Sequence, residues 1–199
     1  MTYQPAQTAA AEADGGAARS YCLFCKAGEE GRVMEMLRRR GAVPLSPLVV
    51  KPRQGQKELK RAQARLLPGY VFFDYPATPD WEEILRFSSV LKVLQYEDGV
   101  RALRNEDLEF VRWLKQYEGL IDVSQVVKAG TKIAFVSGPL MGMEGRVLKV
   151  NKGRRQVQIS VGGEGNMFHA IWCAIEYVEE NMDLEVLHRQ DLDQEKTEP

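Results

Sequence analysis

Histidine is nearly absent from this chain, with two among 199 residues, and cysteine is scarce, with three. So small a supply of imidazole and thiol leaves no nucleophile–base pair or metal cluster to assemble, and we expect neither an enzyme nor a bound cofactor or metal. Long apolar runs are missing too. None approaches the roughly 20 residues that cross a bilayer, and the start of the chain lacks the basic-then-apolar form of a signal peptide, so the expectation is a cytoplasmic protein with no membrane partner. Nor is there an overall excess of either charge, since 27 Lys and Arg face 28 Asp and Glu. That balance conceals a gradient: residues 127–180 hold seven Lys or Arg against five Asp or Glu, whereas residues 182–199 hold two against six.

Cys22 and Cys25 form a C-x-x-C inside Tyr21-Cys22-Leu23-Phe24-Cys25, which reads as a strand. Residues three apart on a strand point to opposite faces, so the two thiols are not expected to grip one ion. Cys173 reads as a buried thiol.

What is present is patterned for two modules. Residues 1–19, rich in Ala with scattered Gly and Gln and aperiodic, are expected to be a disordered leader. Residues 20–26 read as a strand and residues 29–40 as a helix with Val33, Met36 and Leu37 on its apolar stripe. Glu29 and Glu30 suit the positive end of that helix dipole and Arg38, Arg39 and Arg40 the negative end, with Gly41 as the stop. Residues 43–50 form a strand interrupted by Pro44 and Pro47, which argues for an edge. The following arm, KPRQGQKELKRAQAR, sets Lys51, Arg53, Lys57, Lys60, Arg61 and Arg65 against Glu58 alone. It is either a solvated loop or a basic arm lying along phosphates. Residues 66–73 are the most apolar run and the expected sheet centre. A helix capped by Thr78 and opened by Pro79, a strand over 90–96, and a helix over 105–118 capped by Asn105 and ended by Gly119 complete the domain. The order β-α-β-β-α-β-α is that of a split βαβ antiparallel sheet with flanking helices.

Residues 128–161 carry β-branched runs at 133–136, 147–150 and 157–161, separated by turns at Gly138-Pro139, Gly142, Gly145 and Asn151-Lys152-Gly153. This predicts a small β-barrel, with Gly142 and Gly145 where a strand bends or another backbone comes close. Lys149, Lys152, Arg154 and Arg155 gather at one tight turn, with Lys132 and Arg146 on neighbouring strands. The arrangement fits a solvated hairpin tip or a phosphate-binding patch. The fold class expected is α+β: residues 20–119 as the sheet domain, 120–126 as a linker, 127–180 as the barrel and 181–199 as an acidic tail.

On Gly130, Val136, Gly138-Pro139, Met141-Gly142, Gly145, Val147 and Val150-Asn151, the barrel resembles the KOW motif, an SH3-like module that binds RNA or protein. Together with the strand followed by GEEGRV, the basic loop, the LLPGYVFF run with Pro68-Gly69-Tyr70, and the Trp-containing helix, the chain resembles the NusG family over residues 20–180. That resemblance implies an N-terminal domain that binds RNA polymerase across the β′ clamp helices and the β subunit, with Leu67 and Tyr70, unless these two are simply core, and Tyr21 as contacts. Lys57, Lys60 and Arg61 would lie near nucleic acid, upstream DNA included, or the β subunit. Housekeeping members carry a Trp where this chain has Ser20, an aromatic where it has Leu140, and an apolar pair where it has Gly163-Glu164. The last two positions, in the KOW domain, help the family grip ribosomal protein or a terminator. Their absence, with the cationic turn, makes the chain most similar to the specialised LoaP-type paralogues: a monomeric processive antiterminator whose KOW domain takes an RNA hairpin in the nascent transcript through Lys132, Arg146, Lys149, Lys152, Arg154 and Arg155. The alternatives are a general NusG coupling transcription to translation or termination, and a ribosome-associated KOW RNA-binding protein.

Overall fold

Strand alternation and glycine-terminated helices build a four-stranded antiparallel sheet first. In the computed structural model, which describes residues 18–51, 62–129 and 132–178, the N-terminal elements run β1 (Arg19–Cys25), α1 (Glu30–Arg39), β2 (Val43–Leu45), β3 (Leu48–Lys51), β4 (Ala62–Arg65), β5 (Tyr70–Tyr75), α2 (Trp81–Leu85), β6 (Val90–Val93), α3 (Asn105–Gln116) and β7 (Leu120–Ile121). The strand order is β2-β5-β1-β6, so the apolar β5 is central and the proline-bearing β2 lies at an edge. Alternation sends Tyr21, Leu23, Cys25, Val71 and Phe73 to the α1 and α2 side, where Val33, Leu37 and Ile84 complete one core. Cys22 and Phe72 face the other way, toward Phe110, Val111 and Leu114 of α3. The two cysteines of the C-x-x-C thus occupy opposite faces.

Local details depart from the sequence expectations in instructive ways. Ser46 and Pro47 break the strand expected over 43–50 into β2 and β3, which join different sheets. The α2 cap is Asp80, whose side chain accepts Glu83 N–H at 3.0 Å, and not Thr78. Asn105 makes no side-chain cap on α3; it takes a left-handed φ of 51° as the chain turns into the helix. Gly119, at φ 76°, ends α3 by donating to Leu114 O at 2.8 Å.

The second sheet comprises β8 (Ser124–Ala129), β9 (Lys132–Ser137), β10 (Val147–Asn151), β11 (Gln156–Ser160) and β12 (Ala170–Tyr177), in the order β10-β11-β12-β8-β9. It curls around Val126, Phe135, Leu140, Val157, Ile159, Ile171, Cys173 and Ile175, and its first and last strands pair in parallel. The architecture is α+β with a small C-terminal barrel. A Cβ on Gly138, at φ 95°, would stand 2.7 Å from Ser124 Cα, so the close backbone approach expected at Gly142 and Gly145 occurs here; both of those have open space around them.

Residues 120–126 are not a free linker. β7 pairs with β3, Leu48 opposite Leu120 and Val49 opposite Ile121, and β8 begins three residues later. Only Asp122 and Val123 lie between the two sheets, and β12 lies against β3. One continuous core runs from Cys22 and Phe72 through Phe110 to Val157 and Ile171.

Candidate nucleic-acid interface

The turn joining β10 to β11 is tied down through its backbone and leaves its cationic side chains exposed. Asn151 Oδ1 accepts Arg154 N–H at 3.0 Å, Lys152 O accepts Arg155 N–H at 3.2 Å, and Arg155 O accepts from Ile175 N at 2.9 Å. Arg155 holds a left-handed φ of 49° to close the turn. Lys152, Arg154 and Arg155 are exposed there, and Lys149 projects from β10 three residues before Lys152. None of the four forms an ion pair with a described residue. Cations held together without counter-charge raise the local potential and favour an arriving anion. Arg146 does not join them. It sits at the other end of β10, about 16 Å away along the strand, in a cleft with Glu109 and Trp113. Lys132 opens β9, and its side chain lies outside the described residues, as do Lys57, Lys60 and Arg61.

The sheet face bearing Tyr70 is built by a lock between two motifs. Glu30, 2% exposed, accepts Gly28 N–H at 2.9 Å and Gly69 N–H at 2.8 Å, with Arg65 Nε 3.9 Å away. Burial raises its carboxyl affinity for a proton, but the N–H donors of Gly69 and Gly28 and the charge of Arg65 outweigh this and hold it below the ordinary range. Gly69 itself, at φ 83°, would place a Cβ 2.9 Å from Cys25 O. Leu67 and Tyr70 emerge from this turn half-buried, on the α3 side. Tyr21 does not share their face. It is buried beneath α2, with Phe73 and Trp81 rings at 5.4 and 5.1 Å, so in this arrangement it is core and offers no contact surface.

The barrel covers part of the Tyr70 face. Phe168, from the loop before β12, places its ring 5.7 Å from Tyr70, 5.2 Å from Phe72 and 5.7 Å from Phe110. Beside it the fully buried Asp107 accepts the N–H groups of Met167 and Phe168 at 3.0 and 3.2 Å and the Tyr96 hydroxyl at 2.7 Å. Burial, with Asp107 as acceptor, pushes the Tyr96 phenol up to about 12. Glu106 accepts Gly163 N–H at 2.8 Å, and Trp113 Nε1 donates to Pro139 O at 3.2 Å.

Comparison with known proteins places the N-terminal sheet. Residues 19–112 match the family model described as "Transcription termination factor nusG". This segment is similar to the NusG family. No curated protein matches the chain. Among solved structures, the fold is similar to that reported under "Domain interaction in Thermotoga maritima NusG", at 19% identity and a TM-score of 0.44 over 79% of this chain and 94% of that one. The NusG match ends inside α3, so it includes the Glu30–Gly69 lock and the Tyr70 face but not the barrel.

Sequence reasoning missed Phe168, Asp107 and Trp172. Phe168 lies in a loop without periodicity, and Asp107, though inside the expected helix, meets its Met167 and Phe168 N–H donors about 60 positions away. Leu140, marked by its family position, is fully buried and donates its N–H to Ser124 Oγ at 3.1 Å. All three thiols are held protonated by burial: Cys22 well above the ordinary thiol range, Cys25 up to about 11 with the Glu30 charge adding to the effect, and Cys173 up to about 12. Among the described residues no group of three His, Cys, Asp or Glu side chains suits a metal, and no helix is long and apolar enough to cross a membrane.

Proposed function

We propose that this chain is a NusG-type transcription elongation factor of the specialised, LoaP-like kind: a processive antiterminator that binds RNA polymerase with its N-terminal domain and a nascent RNA hairpin with its barrel, read as a KOW module. The observation that carries the reading is the cationic β10–β11 turn, without an acidic partner among the described residues and projecting from a barrel joined to a domain that matches the NusG model. A-form RNA presents clustered phosphates to such a tip, and hairpin loops add unpaired bases. Lys149, Lys152, Arg154 and Arg155 are the RNA contacts in this reading; Leu67 and Tyr70 are the polymerase contacts on the β′ clamp helices, with the β subunit alongside. Because Tyr70 packs against Phe168, full engagement of that face requires the loop bearing Phe168 to withdraw. The burial of Leu140 supports recruitment by RNA over recruitment by ribosomal protein, since an anchor at that position has no exposed surface.

The test is Lys152→Ala/Arg154→Ala/Arg155→Ala in the full chain, assayed for binding to stable RNA hairpins and to polymerase. Loss of hairpin binding with polymerase binding intact is expected. Equal loss of both, or of neither, sinks this division of labour.

A further inference from the structure

The barrel carries one outward aromatic that its own core does not use. Trp172 stands mid-strand in β12 with Ile171, Cys173, Ala174 and Ile175 all buried around it, yet it is 37% exposed. Its indole N–H has no partner among the described residues, whereas Trp113 donates to Pro139 O and Trp81 packs on Tyr21. An exposed, unpartnered indole on a strand is an open stacking surface.

Its surroundings combine an apolar wall, Val49, Leu66, Leu67, Pro68, Ala170 and Ile171, with a basic and amide-bearing rim. Trp172 lines a cleft of about 360 Å³ between the N-terminal sheet and the barrel, together with Lys51 from β3, Arg65 from β4, and Asn151, Arg154 and Gln156 from the β10–β11 hairpin. That volume is in the range of ligand sites, roughly 300–1,000 Å³. No carboxylate is among its lining residues. Arg65 is engaged by Glu30 and Ser46 O, but Lys51 and Arg154 pair with no described acid. Asn151 and Gln156 add side-chain amides that can both donate and accept. The register sets Lys149 opposite Gln158 and Gln158 opposite Trp172, so a row of exposed and half-exposed side chains leads from the cationic turn across the barrel to the indole.

We infer that this cleft binds an unpaired nucleotide of a single-stranded nucleic acid, its base stacked on Trp172 and its flanking phosphates held by Lys51 and Arg154. Aromatic stacking accepts any base, while separated cations track the backbone on either side. The site rests on the barrel's proposed role in RNA binding and deepens it: the turn meets paired phosphates, and the cleft takes a single-stranded extension. Lys51 comes from the N-terminal sheet, so the site exists only while the two sheets are packed together.

The test titrates the full chain and its variants with oligouridylate, oligodeoxythymidylate and a blunt-ended RNA hairpin, following tryptophan fluorescence and a labelled-probe anisotropy. Oligouridylate is expected to quench the wild type. Trp172→Phe should lose that quench while binding within about threefold, because a phenyl ring still stacks. Trp172→Ala should bind oligouridylate about tenfold or more weaker with an unchanged salt slope, and Lys51→Ala should lower that slope by about 0.7. Melting curves establish that all three variants fold. Equal affinity for the deoxy strand assigns the site to single strands of either sugar, and preference for uridylate assigns it to RNA. The inference is overturned if Trp172→Ala binds oligouridylate like the wild type or if saturation leaves fluorescence unchanged. Retained hairpin binding in that case leaves the barrel's RNA role standing. A wild type that binds no nucleic acid probe overturns both and marks the cleft as a protein surface.

Discussion

Two runs of basic residues look alike in sequence and differ completely in the fold. At the end of α1, Arg39 pairs with Glu35 at 3.0 Å, Arg40 pairs with Glu83 at 2.6 Å and donates to Met36 O, and Arg38 has Glu35 within 3.9 Å. At the β10–β11 turn, Lys149, Lys152, Arg154 and Arg155 have no acidic partner among the described residues. The first run is consumed by the helix dipole and by neighbouring carboxylates. The second is left unsatisfied, and an unsatisfied charge cluster is the one that signals a ligand. Acidic residues divide in the same way: Glu30 and Asp107 are buried and fully engaged inside the fold.

The comparison predicts that engaged charges govern stability and unengaged ones govern binding. The largest effect on stability belongs to Asp107. Asp107→Ala leaves the N–H groups of Met167 and Phe168 and the Tyr96 hydroxyl without their acceptor, and should cost about 3 kcal/mol, a fall in Tm of roughly 6–12 °C. Asp107→Asn, which keeps one acceptor oxygen, should recover part of it. A Tm unchanged by Asp107→Ala would show that the two sheets do not depend on this latch.

Glu30→Gln comes next, at about 1–2 kcal/mol near neutral pH, because an amide offers one acceptor where two N–H groups and a guanidinium converge. The sign with pH follows from a carboxyl held below its ordinary value of about 4.3. Its contribution is complete above that value and is lost as pH falls through the folded one, so the gap between wild type and Glu30→Gln in urea melts should close in acid. A gap that widens in acid would mean that Glu30 is not held ionised by this site.

The smallest stability effects separate the two basic runs. Arg38→Ala, Arg39→Ala and Arg40→Ala, made singly, should each cost about 0.3–1 kcal/mol and leave hairpin affinity within about twofold. The turn triple variant should change stability by no more than about 0.5 kcal/mol. Its salt dependence of hairpin binding should flatten by up to about 3 in log–log slope. Interchanged phenotypes would break the comparison outright.

Legibility in the sequence followed how local the deciding interaction is. The α1 stripe of Val33, Met36 and Leu37, the stops at Gly41 and Gly119, the central place of β5 and the edge place of β2 were readable, because each depends on a side-chain period or on one residue's backbone preference. The turn and its four cations were readable for the same reason. Residues 120–126 were misread because Leu120 and Ile121 become a strand only through parallel pairing with β3, more than 70 positions earlier. β8 and β12 were hard to see because they too pair in parallel, closing the barrel from its two ends. Tyr21 was misassigned as a contact because a family position says nothing about which face of β1 the ring lies on; its register with Phe73 puts it under α2.

By itself, then, the sequence determined the alternation of strands and helices, the turns that only glycine or a short polar residue makes easily, and which residues carry charge. Those follow from backbone sterics and from periods of two and 3.6 residues, which act over a few positions. The tertiary structure alone decided which charges are answered, that Phe168 seats among Tyr70, Phe72 and Phe110, and that Lys51 and Trp172 line the same cleft. The Phe168 and Trp172 juxtapositions join residues roughly 60 to 120 positions apart, where no local preference reaches and only the packing of one sheet on another brings side chains together.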